Sequence, residues 1–359
     1  MSQQHQILVG DCIDMMRTLP DQIAHTCITS PPYFGLRDYG VDGQIGLEQT
    51  PAEFIARLVD VFREVRRVLR NDGTVWVNMG DSYSSGGRGG GGSFMAERGD
   101  KAWRGKGEAT GWRSAPAGLK HKDLMGIPWR LAFALQDDGW YLRQDIIWHK
   151  PNPMPESTRD RCTKSHEYIF LLSKSPRYYY EQDAIKEPVS ASSIVRLAQD
   201  LEQQVGSDRV PGKTNGTMKA VGRRSKRNSF ARDPKHGVGE HGQKAQHRTD
   251  REDIDYTLTR NKRSVWSVPT QGFKGAHFAT FPPDLIRPCV LAGAPRGGLV
   301  LDPFGGAGTT SLVSMQEGRR SIICELSPDY AEMARRRIDA AWLNGAAQMD
   351  VFHDAAPAA

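Results

Sequence analysis

Residues 299–310 have the sequence LVLDPFGGAGTT, which is the clearest indication of the fold in this chain. The apolar residues 299–301 predict a buried strand, the glycines a tight turn, and residues 309–317 a helix. Open α/β sheets use a strand, a glycine-rich turn and a helix in this order to bring backbone close to a ligand. The turn lacks the Gly-Lys-Ser/Thr ending of a phosphate-binding loop, and Ser311 stands where a dinucleotide fingerprint has its third glycine. We therefore do not expect it to bind phosphate.

The next predicted strand, residues 320–324, is followed by Glu325. An acid about 20 residues after such a turn can accept hydrogen bonds from ribose hydroxyls. The turn and the acid together indicate a ligand that carries adenosine. The alternative is a tight structural turn with a surface glutamate.

A second motif, TSPPYF at residues 29–34, follows a predicted strand at 25–28. Its two prolines stiffen the chain and remove two backbone donors, so that carbonyl acceptors stand beside the Ser30 hydroxyl and the Tyr33 ring. Such a turn suits a planar group bearing NH2, held by Ser30 and the Pro31 carbonyl while Tyr33 stacks on the ring. The nitrogen then bends toward sp3 geometry and exposes its lone pair, with no covalent nucleophile. Alone, a Pro-Pro turn can also be plain loop.

The two motifs together resemble the catalytic and cofactor motifs of the S-adenosylmethionine-dependent DNA amino-methyltransferases. The catalytic motif precedes the cofactor motif with a long insert between them, which is the order of the β group of that family. The resemblance implies a doubly wound, Rossmann-like α/β methyltransferase fold, with a mostly parallel sheet and an inserted target-recognition region. Residues 7–33, 76–81, 148–152, 265–268 and 277–282 also resemble family blocks.

The resemblance implies S-adenosyl-L-methionine as cofactor and assigns a role to each matching residue. Asp11 would contact the adenine and Glu325 the ribose, and the target base must leave the duplex to be methylated. The other residues implied to bind the cofactor are Phe278, Asp302, Phe304, Gly306, Gly308 and Thr309. Those implied to hold the target amine are Ser30, Pro31, Pro32 and Tyr33. The predicted DNA contacts are Lys150, Arg223, Arg224, Lys226 and Arg227.

The first catalytic position bears on which base is modified. Family members that methylate adenine N6 usually carry Asp there and those that methylate cytosine N4 usually Ser, so Ser30 favours cytosine N4. Both side chains accept an amine hydrogen, and adenine N6 stays open. More distant alternatives are an RNA or protein methyltransferase, in which the cofactor motif comes first, and a non-enzymatic DNA-binding module. Cytosine-C5 chemistry would need Cys289 as nucleophile, but Cys289 falls in a predicted apolar helix at 286–292 and is expected in the core.

The net charge of +6 is concentrated in one segment. Residues 209–251 contain 12 Lys and Arg against 3 Asp and Glu. This segment is either a solvated insert or a nucleic-acid contact, since Lys and Arg that neutralise phosphates release counterions.

We divide the chain into a catalytic half at 1–80, a Gly-rich flexible loop at 81–120, the remainder of the catalytic half at 121–180, a basic target-recognition insert at 181–260, a cofactor-binding half at 261–345 and a C-terminal tail at 346–359.

Composition excludes several classes of protein. No apolar stretch approaches the roughly 20 residues of a membrane span, and no signal-peptide core is expected at the N-terminus. The five cysteines are scattered without a Cys-x-x-Cys pair, and no zinc or magnesium spacing is found, so we predict no metal and a reducing cytoplasmic location, associated with DNA. The predicted partner is double-stranded DNA. Whether the enzyme is a homodimer, and whether it has a separate restriction endonuclease or is an orphan enzyme, is left open.

Overall fold

A computed structural model describes residues 4–35, 41, 43–84, 119–190, 259–270 and 281–354, with side chains described as far as residue 343. The chain divides into two compact units, Met1–Ala184 with Arg263–Ala359, and Ile185–Lys262. The predicted helix at 192–204, the glycine run at 86–92 and the basic segment at 209–251 lie outside the described residues. No helix in the described part of the chain is long and apolar enough to cross a membrane.

The larger unit is built on a mixed sheet of eight strands. Its strands are β1 His5–Val9, β2 Ala24–Thr29, β3 Leu69–Met79, β4 Tyr141–His149, β5 His166–Ser173, β8 Val265–Ser267, β9 Leu299–Asp302 and β10 Arg320–Glu325. They lie in the order β1-β10-β9-β2-β3-β5-β4-β8, and only β5 runs antiparallel to its neighbours. The smaller unit contributes one described antiparallel pair, β6 Glu187–Pro188 with β7 Thr259–Arg260.

Six described helices form two layers. The helices α1 Cys12–Arg17, α2 Pro51–Val68 and α3 Ile127–Asp137 make one layer, and α4 Pro283–Gly293, α5 Thr309–Gln316 and α6 Pro328–Asp354 make the other. Local sequence explains the longest helix of the first layer. Thr50 and Glu53 form a capping box at the start of α2, and Pro51 takes the first turn, where its missing N–H is not needed. The buried residues Phe54, Leu58 and Phe62 then face the core.

The position of the site follows from the strand order. β9 and β2 are parallel neighbours, with Cys27 opposite Leu301. From β9 the chain passes through α5 to β10 on one side, and from β2 it passes through α2 to β3 on the other. The strand order therefore reverses between β9 and β2, and such a switch point opens a crevice at the carboxyl ends of the strands. The predicted doubly wound, mostly parallel α/β fold is confirmed.

Candidate active site

Both sequence motifs contribute to one cleft at this edge of the sheet. The turn after β2 supplies Ser30, Pro31, Pro32 and Tyr33, and the turns after β1, β9 and β10 complete the wall. Of the residues predicted to bind the cofactor, the cleft is lined by Asp11, Phe304, Gly306, Thr309 and Glu325. The sequence motifs, about 270 residues apart, thus meet because β2 and β9 are adjacent.

Asp302 lies beneath the cleft and is not part of its lining. Its carboxylate is buried and accepts hydrogen bonds from the hydroxyls of Thr29 and Thr310, both at 2.6 Å, and from the backbone N–H of Phe304 at 3.0 Å. Burial raises the pKa of Asp302, opposed by these three hydrogen bonds. The Thr29 bond joins the end of β9 to the end of β2. Asp302 therefore fixes the glycine turn relative to the catalytic turn from below.

The glycine turn forms a cradle that packs too closely against the protein interior to carry side chains at Gly305 and Gly308. Gly308 has φ +73°, and a Cβ there would lie 2.9 Å from the Cβ of Ala334. A Cβ on Gly305 would lie 2.8 Å from the side chain of Ile323. Gly308, like Asp302, supports the turn rather than lining the cleft. The bare backbone lets a ligand approach the start of α5 closely.

Glu325 closes the far side of this cradle. One carboxylate oxygen accepts the N–H of Gly306 at 2.8 Å and the other that of Ser327 at 2.9 Å. Burial raises the pKa of Glu325, while these backbone donors oppose the rise. A carboxylate offers about four acceptor positions, and the backbone donors do not use all of them. The remaining capacity suits ribose hydroxyls, so the acceptors of the cleft fit an adenosine-bearing cofactor.

Asp11, the N-cap of α1, lies on the same side of the cleft as Glu325, because the N–H of the preceding Gly10 donates to the Glu325 carbonyl at 2.9 Å. Its Oδ1 accepts the N–H groups of Ile13 at 2.9 Å and Asp14 at 3.2 Å, and Arg57 approaches Oδ2 at 3.5 Å. Capping fixes the direction of this carboxylate. Its longer contact to Arg57 leaves Oδ2 the freer acceptor, as an adenine amine would require.

The catalytic turn is held from behind through Tyr33. The Tyr33 hydroxyl donates to Oε2 of Glu167 at 2.7 Å. Burial and the adjoining Glu167 carboxylate raise the pKa of Tyr33 well above its usual value, so the phenol is neutral at physiological pH. Sequence reasoning missed Glu167. The signal available was an acidic residue at the start of an otherwise apolar strand, EYIFLL at 167–172.

Lys150, predicted to contact DNA, has a different partner in the structure. Its side chain is only 19 % exposed, and its ammonium pairs with Oε1 of Glu167 and lies 4.3 Å from the centroid of the Trp148 ring. An ammonium engaged in this way does not point to an open phosphate-binding surface. The other predicted DNA contacts, and Phe278 of the cofactor set, lie outside the described residues.

The rival nucleophile Cys289 is in the core. It is 1 % exposed within α4, as its apolar surroundings in the sequence predict. Cys289 is therefore not part of the cleft lining and is not placed to act as the nucleophile of cytosine-C5 chemistry.

Comparison with known proteins agrees with this geometry. The model of the N6/N4 DNA methylase family matches residues 24–336. The chain is 44 % identical over 334 residues to the type II methyltransferase M.SmaI of Serratia marcescens, covering 93 % of this chain and 90 % of the relative. It is 42 % identical over 330 residues to M.Cfr9I of Citrobacter freundii, covering 92 % and 86 %.

Solved structures of low sequence identity share the fold. The PvuII DNA methyltransferase, described as cytosine-N4-specific, superposes with a TM-score of 0.55 at 16 % identity, covering 93 % of this chain and 86 % of that one. A Thermus thermophilus protein solved in complex with S-adenosyl-L-methionine gives 0.51 at 20 %, covering 94 % and 95 %. From the family match and the relatives, we conclude that the chain belongs to the N6/N4 DNA methylase family of S-adenosylmethionine-dependent DNA amino-methyltransferases.

Proposed function

We propose that this enzyme transfers a methyl group from S-adenosyl-L-methionine to the N4 amine of a cytosine flipped out of double-stranded DNA. The observation that carries the proposal is that the Ser30 to Tyr33 turn and the glycine cradle with Glu325 open into the same cleft. One motif suits an amine and the other an adenosine. A cleft that holds both brings a methyl donor and its acceptor within reach of one another.

The residues of the cleft divide between holding the cofactor and shaping its site. Asp11 would accept from the adenine amine and Glu325 from the ribose, while Phe304, Gly306 and Thr309 would line the neighbouring part of the cleft. The Thr309 hydroxyl is itself fixed, since it accepts from Arg337 at 2.8 Å. Asp302 and Gly308 would act by holding the turn, and we propose Phe278 as part of a covering segment. When bound, the cofactor supplies an activated methyl group.

The catalytic turn would act on the target amine by positioning and hydrogen bonding. The Ser30 hydroxyl and the Pro31 carbonyl would accept the two amine hydrogens, while Tyr33 stacks on the base. Accepting both hydrogens turns the nitrogen lone pair toward the methyl group. With the cofactor bound, transfer of its methyl group would leave the demethylated thioether, and the surplus amine proton would pass along one of these hydrogen bonds to solvent. The amine can reach the cleft only if the base leaves the helical stack.

Ser30 is the feature that favours cytosine, and adenine N6 is the second candidate. A serine hydroxyl accepts one hydrogen without adding a negative charge, whereas adenine-modifying relatives usually place Asp here. The relatives of highest identity above are named type II methyltransferases, which supports a site-specific DNA-modifying role over RNA or protein methylation. We propose that residues 181–260 select the sequence. Homodimerisation, and a cognate endonuclease or its absence, stay predictions.

The test offers methyl-labelled S-adenosyl-L-methionine and three substrates separately, namely unmethylated genomic DNA, total RNA and a protein extract. We expect label in DNA alone, with heat-treated enzyme as the background control. Label in RNA or protein but not in DNA would contradict the proposal. So would tight cofactor binding without transfer to DNA from several sources of different base composition.

A further inference from the structure

Behind the catalytic turn lies a polar cluster that no sequence motif predicted, formed by Tyr33, Asn78, Lys150 and Glu167, here called the Glu167 cluster. Oε2 of Glu167 accepts from the Tyr33 hydroxyl at 2.7 Å and from Nδ2 of Asn78 at 3.2 Å, and Oε1 pairs with Lys150. Glu167 and Asn78 are buried, at 9 % and 4 % exposure. Buried polar groups of this kind are expected to be fully bonded, and these are.

The cluster is anchored on three adjacent strands of the sheet, β3, β5 and β4. Asn78 lies in β3 and Glu167 in β5, while Lys150 directly follows β4, whose Trp148 is opposite Glu167. Nδ2 of Asn78 also donates to the Tyr168 carbonyl at 3.1 Å, so both of its hydrogens are used. Three adjacent strands therefore fix the position of the Glu167 carboxylate. The Tyr33 hydroxyl is the one member contributed by the catalytic turn.

The Tyr33 ring is also confined by backbone. A Cβ on Gly80 would lie 2.8 Å from Cε2 and 3.1 Å from Cζ of the ring, so the ring rests directly on the Gly80 backbone. The hydroxyl end of the ring thus has a wall on one side and a hydrogen-bond acceptor at its tip. Both restraints act far from the Cα of Tyr33, where they limit rotation of the side chain most strongly.

The chemistry of the cluster requires a carboxylate at position 167. Three donors converge there, and an ionised carboxylate is an acceptor at every position, whereas an amide would present two hydrogens of its own. Its negative charge also compensates Lys150. A buried ion pair is weak evidence for stability, because desolvation offsets much of the attraction. The pair can nevertheless hold the Tyr33 ring in place, even if it adds nothing to the stability of the fold.

We propose that Glu167 is a positioning residue, which holds the Tyr33 ring in the plane needed to stack on the target base, with Lys150 as its counter-charge. The inference rests on the proposed function, because it assigns Tyr33 the stacking role. As the counter-charge of Glu167, Lys150 lies behind the active site rather than at the DNA backbone. Loss of the Glu167 acceptor should therefore lower turnover and leave cofactor binding intact.

The experiment is a double-mutant cycle between Glu167→Met and Tyr33→Phe. Because a misplacement of about 1 Å can cost about 100-fold in rate, we expect each single variant to lower kcat by about 10- to 100-fold, with the Kd for S-adenosyl-L-methionine within about twofold of wild type. Both variants remove the Tyr33–Glu167 bond, and Tyr33→Phe also removes the hydrogen bonds of its hydroxyl with Ser30 and Gly80. If Glu167 acts through the Tyr33 hydroxyl, the double variant should therefore be no slower than Tyr33→Phe alone. Glu167→Gln keeps one acceptor oxygen for Tyr33 and should restore part of kcat.

Glu317→Met is the matched control. Glu317 pairs with Arg287 at the end of α5, at the sheet edge opposite the cleft, and its side chain is 21 % exposed. We expect it to lower the melting temperature without changing kcat.

Four results would overturn the inference. They are wild-type kcat in Glu167→Met, multiplicative losses in the double variant, a loss of kcat accompanied by an equal loss of cofactor affinity, and an equal loss in Glu317→Met. Should Glu167→Met not fold, Tyr33→Phe with wild-type kcat would be sufficient to refute it. A wild-type enzyme that methylates no DNA would refute the proposed function instead, so the two failures are distinguishable.

Discussion

Replacing Gly80 with alanine should slow methyl transfer while leaving the fold intact. The φ of Gly80 lies outside the left-handed region, so its backbone accepts a side chain. The added Cβ would lie 2.8 Å from Cε2 of Tyr33, whereas ordinary contacts begin at 3.4 Å. The ring must therefore move by about 0.6 Å. Glu167 restricts this movement of the Tyr33 ring, because the Glu167 Cδ would itself lie 3.2 Å from the same Cβ.

The size of the effect follows from this displacement. If a misplacement of about 1 Å costs about 100-fold, a shift of about 0.6 Å should lower the rate of the chemical step about tenfold or more. Overpacking should destabilise the protein by about 1–3 kcal/mol. Cofactor affinity should not change, because Gly80 is not part of the cleft lining.

The assay is single-turnover methyl transfer at saturating DNA and cofactor, combined with thermal unfolding. Gly293→Ala is the control, because its Cβ would lie 2.6 Å from Oγ1 of Thr26, an equally tight contact in the core away from the cleft. It should destabilise the protein and leave the rate unchanged. A wild-type rate in Gly80→Ala, or the same loss of rate in Gly293→Ala, would refute the positioning role assigned to the contacts of the Tyr33 ring with Gly80 and Glu167.

The remaining predictions concern the cofactor, the amine, the buried acid and the basic segment. Ser30→Ala should lower kcat by about 100-fold or more, by analogy with removal of one transition-state hydrogen bond, with the cofactor Kd nearly unchanged; normal turnover with weakened cofactor binding would overturn its role. Glu325→Ala should weaken cofactor binding about tenfold or more by calorimetry, since hydrogen bonds to a charged group contribute about 1.5–3 kcal/mol, and an unchanged Kd would remove Glu325 from the site. Burial raises the pKa of Asp302 above the ordinary value of 3.8, so the folded state holds this proton more tightly than the unfolded state and stability is lost as pH rises from 3.8 through the folded-state pKa. Asp302→Asn should abolish that loss, and melting curves at several pH values that differ from wild type by a constant offset would contradict this. Neutralising the four charges at 223–227 should flatten the slope of log affinity against log salt by about 3.6, whereas an unchanged slope would assign them to solvent.

Much of the fold follows from local pattern. The strands and helices around the glycine turn were predictable because each is long enough to show its period, and the order of the two motifs defines the strand order. Elements too short to show a period were missed, such as the six residues of α1 and the three of β8. The helix at 283–293 was predicted as 286–292 and includes Pro288 in its interior.

The site was predictable where one segment carries the chemistry, and not where several segments meet. The acceptor turn at 29–34 and the cradle at 302–310 are each contained in a single motif. Asp302 was predicted to line the cofactor, but its hydroxyl partner Thr29 is 273 residues away and draws the carboxylate into the core. Lys150 was predicted to contact DNA, and the structure pairs it with Glu167. Its partner Glu167 becomes visible only once β4 and β5 are paired.

Nucleoside mass spectrometry identifies both the base and the atom that the enzyme methylates. Purified enzyme is incubated with S-adenosyl-L-methionine and unmethylated genomic DNA, and the DNA is digested to nucleosides. The account predicts N4-methylcytosine, formed by the Ser30 turn acting on an exocyclic amine. N6-methyladenine would keep the amine chemistry and show that Ser30 does not set the base. C5-methylcytosine, or no methylated nucleoside from an enzyme that binds its cofactor, would contradict the account.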